Sequence, residues 1–148
     1  MSENNFQRVG ATSNTHVGKD FQAAVQRFFS STGLELKAEH SALVGFRTKK
    51  EHKFDLGSDN PPVLVECKSY TWTSGGNSPS AKIRGLNEAM LLFAVAPLGY
   101  RKILVALKHM RKGESLLSHY IKTQGHLIGP GVEIWEFDDQ NRACNQVL

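Results

Sequence analysis

Lys53-Phe54-Asp55-Leu56-Gly57-Ser58-Asp59-Asn60-Pro61-Pro62-Val63-Leu64-Val65-Glu66-Cys67-Lys68 decides the fold. Its two ends are rich in β-branched, aromatic and aliphatic residues and read as strands. The middle, Ser58-Asp59-Asn60-Pro61-Pro62, is built of turn formers. Side chains two apart on a strand share a face. Glu66 and Lys68 therefore share one face, and Val63, Val65 and Cys67 take the other. Asp55 lies between Phe54 and Leu56, so it is expected to face away from both. A hairpin would bring two carboxylates and one ammonium onto a single patch. Charges in a core strand are costly unless paired or put to use. Two adjacent carboxylates repel, and a divalent cation relieves that repulsion.

Working outward, the pattern predicts a helix over Val17–Ser31, with Phe21, Ala24, Val25 and Phe28 inward and Gly33 as its stop. Leu34–Ala42 alternates weakly and is expected as a first strand. Lys49–Lys53 reads as a charged turn. After Lys68 comes a loop, 69–78, with Tyr70, Trp72, Gly75 and Gly76. Ser78 is expected to cap a helix whose first residue is Pro79 and which runs to about Val95. Its stripe is Ile83, Leu86, Met90, Phe93 and Ala94. Leu91, Leu92 and Val95 would make its second half apolar all round. Arg101–Leu107 is a strand, Glu114–Gln124 a third helix and Val132–Phe137 a last strand; the tail from Asp138 is mostly polar. Strands joined through helices imply an α/β fold, with a mixed central sheet flanked by helices.

The chain has 148 residues and a formal net charge of +4, with 40% hydrophobic and 22% charged residues. That is the composition of one globular domain, expected over residues 16–148. A domain of this size buries about 68–70% of its unfolded surface, enough for a core without disulfides. The two cysteines, Cys67 and Cys144, lack zinc-ligand spacing, and a reducing, cytoplasmic setting is expected. Residues 1–15 read as a flexible arm with no secretory signal. No apolar run is long enough to span a bilayer. The positive charge favours a polyanionic partner.

An Asp on one strand and Glu-x-Lys on the next, inside an αβββαβ order, resembles the PD-(D/E)XK nuclease superfamily and its restriction-endonuclease-like fold. Here the pattern is Asp55, ten intervening residues, then Glu66-Cys67-Lys68. The resemblance covers roughly residues 17–107. It implies a metal-dependent DNA nuclease, an endonuclease serving defence, mobile elements or repair. Asp55, Glu66 and the backbone carbonyl of Cys67 would hold Mg2+, with Mn2+ as a substitute. Lys68 would orient or help deprotonate the attacking water and stabilise charge on phosphorus. The family often adds an acid from the first helix; the matching position here is Gln22, with Asp20 a less well-placed substitute. A neutral Gln22 implies one catalytic metal rather than two. Asp59 rivals Asp55, but its turn context suits a capping role. Lys82 and Arg84, opening the second helix, either contact phosphates or form a solvated helix end, and Tyr70 and Trp72, in the loop after Lys68, either stack on bases as nucleic-acid contacts or cover the core. Of the six histidines only His16 lies near Gln22. Lys108–Lys112 is a basic cluster that either faces DNA or is simply solvated. So short a chain implies a homodimer, a recruiting partner or loops for specificity. The rival functions are a non-catalytic nucleic-acid-binding module and a partner-dependent nuclease subunit.

Overall fold

The computed structural model describes residues 14–148. The expected arm lies outside the described residues, apart from Asn14 and Thr15, which already belong to helix α1 (Asn14–Ser31). There follow β1 (Lys37–Val44), β2 (Lys50–Asp59), β3 (Pro62–Lys68), α2 (Ser80–Ala94), β4 (Arg101–Leu107), the short strands β5 (Met110–Arg111) and β6 (Glu114–Ser115), α3 (Leu116–Gln124), β7 (Val132–Asp138) and β8 (Ala143–Gln146). Six strands form one mixed sheet in the order β1-β2-β3-β4-β7-β8, and β5 pairs with β6 apart from it. β3, β4 and β7 are parallel; β1, β2 and β8 join antiparallel. The α/β reading and the order of its elements hold.

The layers follow from side-chain parity. Val17, Phe21, Val25 and Phe29 of α1 pack on Leu56, Val63, Val65, Ile103 and Val105. On the other face Leu86, Met90 and Phe93 of α2 and Leu117 and Tyr120 of α3 pack on Phe54, Leu64, Leu104 and Ile134. Two crossovers, β3–α2–β4 and β4–α3–β7, put both helices on that second face. α1 ends as Gly33 takes φ 94° and Leu34 donates its amide back to the Phe29 carbonyl at 2.9 Å.

Several boundaries move. Lys50–Lys53 is strand rather than turn, and the chain reverses at Gly45–Lys49 instead. β1 runs three residues later at its start than expected, because Leu36 is still buried under α1. Pro79, not Ser78, occupies the cap of α2, and no side chain bonds there. The second half of α2 is not covered all round, since Leu91 is 57% exposed and Ala94 is also exposed. α3 starts at Leu116 because the Ser115 hydroxyl takes the Ser118 amide at 3.0 Å. The tail contributes β8, and Leu148 and Val147 bond Ile134 beyond it.

The main correction concerns β2. Phe54 belongs to the α2 core and Leu56 to the α1 core, so they do not share a face. The strand turns over at Asp55. The facing residue of β1, Glu39, has φ 56° and drops out of the regular register. Phe54 is fully buried and stacks on Phe93, ring centroids 5.9 Å apart. Truncating it removes that stack and the wall behind the turnover. Phe54→Ala should cost about 3–5 kcal/mol in urea unfolding. A loss under 1 kcal/mol would show that Phe54 is not part of the core.

Candidate active site

The β2–β3 ladder runs from Asp59–Pro62 to Leu56–Val65 and stops there. One residue on, Asp55 turns its side chain into the gap. Its Oδ2 accepts the Cys67 amide at 2.8 Å, as a backbone carbonyl would in a continued ladder. Its Oδ1 accepts from Gln22 Nε2 at 2.9 Å, so α1 reaches the site through that amide. The Asp55 amide in turn points at Glu66 Oε2, 3.4 Å away. Asp55, Glu66 and Gln22 are thus brought together.

Glu66 is only 5% exposed. His52 Nε2 lies 3.4 Å from its Oε2, and the imidazole is fixed edge-on to Phe54, centroids 4.6 Å apart. Burial, and then the charge of Asp55, push the Glu66 carboxyl up to about 8 against the pull of Lys68. Burial also raises Asp55, although the Cys67 amide and the charges of Lys68 and His52 oppose it. Lys68 is the counter-charge. Burial pulls its pKa down, but Tyr70, Glu66 and Asp55 outweigh that and the net shift is upward. It remains an ammonium at neutral pH, set over the Tyr70 ring at 5.6 Å. Tyr70 is seated against Gly85 of α2. A Cβ there would lie 2.2 Å from the tyrosine oxygen, so the close approach requires glycine.

The other expected residues spread out. Trp72 is 6% exposed; its indole donates to the Glu114 carbonyl at 3.2 Å and Arg111 covers its ring at 3.9 Å. It braces the rim, which fits the core-covering alternative rather than the base-stacking one. Lys82 is half-buried and donates to the Thr71 carbonyl, so it holds the loop. Arg84 and Asp20 are exposed. Asp59 accepts from Tyr100 at 2.6 Å and lies 3.0 Å from His40, at the turn end of β2. The His16 side chain lies outside what is described. Sequence reasoning missed His52 and Glu88, whose charges both act on Glu66 or its neighbours. Strand parity would have found His52 had the turnover at Asp55 been visible.

Among the described residues no group of three or more His, Cys, Asp or Glu side chains is arranged to hold a metal ion. What the site offers a cation is two carboxylates and backbone oxygen. Such hard donors suit Mg2+, which keeps several of its waters. Two carboxyl groups raised by burial, and in Glu66 also by the charge of Asp55, are the condition a bound cation would relieve. Comparison with protein-family models, with curated proteins and with solved structures returned no match.

A raised Glu66 means that folding favours its protonated form. That stabilisation is complete below the ordinary value of 4.5 and is lost as pH rises through about 8. In metal-free buffer the native protein should therefore lose on the order of 2 kcal/mol between mildly acidic and mildly alkaline pH, relative to Glu66→Gln. Urea unfolding of both proteins across that range measures the difference. Parallel pH profiles would refute it.

Proposed function

We propose that this chain is a metal-dependent nuclease of the PD-(D/E)XK kind, hydrolysing phosphodiester bonds in DNA. The observation that carries the reading is the Asp55 carboxylate lodged where the β2–β3 ladder ends, beside Glu66 and within the field of Lys68. Asp55, Glu66 and the Cys67 carbonyl would hold one Mg2+, or Mn2+ in its place. The bound ion supplies positive charge that polarises the phosphodiester and acidifies water.

The chain's own groups do the rest. Gln22 fixes Asp55 Oδ1 and, being neutral, adds no charge for a second ion. The Asp55 amide and His52 both face Glu66 Oε2. Lys68 stays protonated, so it acts as a hydrogen-bond donor and a fixed positive charge rather than as a base. It orients the attacking water and stabilises charge developing on the phosphoryl oxygens. The water oxygen bonds to phosphorus, the P–O3′ bond breaks and the water's proton ends on the 3′ oxygen. The products are a 5′-phosphate and a 3′-hydroxyl.

Plasmid and linear DNA incubated with the protein and Mg2+ should be cut. Lys68→Ala and Asp55→Asn should each lower the rate at least a hundredfold while DNA binding persists. Cation titration should give one divalent ion per chain. DNA binding with no cleavage under Mg2+ or Mn2+ would instead support a binding module, and the ammonium and carboxylates would then have no catalytic part.

A further inference from the structure

The first half of β2 has a partner strand on one side only. Lys50–Phe54 pair with β1, His52 opposite Ala42, whereas the ladder to β3 spans Leu56–Asp59 alone. Side chains fill the flank from which β3 has parted. Phe54 enters the α2 core, fully buried, and stacks on Phe93. His52, two residues away, takes the same side. Its ring stands edge-on to Phe54, centroids 4.6 Å apart and planes at 89°, and its side chain is 30% exposed. The aromatic ring that steadies the imidazole is thus itself fixed by the core.

This placement puts His52 Nε2 3.4 Å from Glu66 Oε2, the same oxygen that the Asp55 amide faces at 3.4 Å. Two donors from β2, on either side of Phe54, converge on one carboxylate oxygen of β3. An ionised carboxylate can only accept, so Nε2 must carry the proton when Glu66 holds a cation. An imidazole suits the place for a reason of charge. It donates through one N–H while neutral, whereas a lysine or arginine would set a fixed positive charge against the ion. Glu88 on α2 acts on both groups by its charge but is exposed, and the directed contact to Glu66 comes from His52.

We infer that His52 is a positioning residue, whose Nε2–H holds Glu66 Oε2 and so sets the carboxylate plane that receives a divalent cation. This rests on the reading of Asp55 and Glu66 as cation ligands. Groups that hydrogen-bond a ligating side chain typically change metal affinity by about 10–100-fold when removed. His52 acts through Glu66 and touches neither water nor phosphate in this role. Its removal therefore moves the affinity for the cation more than the rate at saturating cation.

The test reads Mn2+ binding to the full chain without DNA, from the electron paramagnetic resonance of the free ion. His52→Phe keeps a ring against Phe54 and removes the donor, and should weaken Mn2+ binding roughly tenfold or more. His52→Gln restores an N–H at a similar reach and should bind within about threefold of the native chain. His52→Leu repeats the loss with a smaller side chain, and the thermal midpoints of the cation-free proteins show that each variant is folded. In cleavage, His52→Phe should raise the Mg2+ concentration for half-maximal rate by the same factor, and the rate at saturating Mg2+ should recover to within about threefold. Native-like Mn2+ binding by His52→Phe and His52→Leu overturns the inference. So does an equal loss in His52→Gln, which would make the contact one of ring packing. A rate still on the order of a hundredfold low at saturating Mg2+, with Mn2+ affinity intact, also overturns positioning. If the native chain binds no Mn2+, or Glu66→Gln binds it equally well, the cation-ligand reading falls and the inference with it. Lost binding in Glu66→Gln beside native-like His52→Phe removes the inference alone.

Discussion

One hydrogen bond organises this molecule's functional end: the Cys67 amide given to the Asp55 carboxylate instead of to a backbone carbonyl. A buried amide must find an acceptor. Where β2 and β3 part, the side chain of Asp55 supplies it. The same act positions the acid between the strands, where it meets Glu66 from β3 and Gln22 from α1. A backbone requirement thus sets the geometry of the charged cluster. The cost is concentrated charge in a place with little water, visible in the raised carboxyls of both acids. Lys68 offsets part of that cost, and Tyr70 holds Lys68 in place.

Much of this was legible in the amino-acid sequence. The order of helices and strands follows from patterns that burial enforces: a helical stripe on α1, apolar runs in β3 and β4, and alternation in β7. Glu66 and Lys68 share a face because β3 is regular, and period two is reliable there. The turnover at Asp55 was not legible. Phe54-Asp55-Leu56 looks like ordinary alternation, and the break depends on Glu39, on another strand, adopting a left-handed conformation. Asp55 reaches Glu66 through the gap between strands rather than through a shared face.

The loop residues show the opposite limit. Tyr70 and Trp72 are two apart in an irregular segment, where no period tells which ring is covered. The structure separates them: Tyr70 lies beside Lys68, whereas Trp72 is sealed beneath Arg111. Lys82 likewise looked like a solvent-facing helix-end cation and is instead tied to the loop backbone. Tertiary contacts of this kind leave no local trace. The hairpin at Met110–Ser115 was hidden for another reason, since strands of two residues are too short to show a period.

Gly85 carries no functional group, yet the reach of the Lys68 ammonium is set by it. The tyrosine ring acts as a spacer between the helix backbone and the cation, and its seat exists only because a methyl group is missing. Sliding or tilting α2 would carry the ring with it and move the positive charge relative to the two acids. The second helix thus bears, through Tyr70, on where the cation stands.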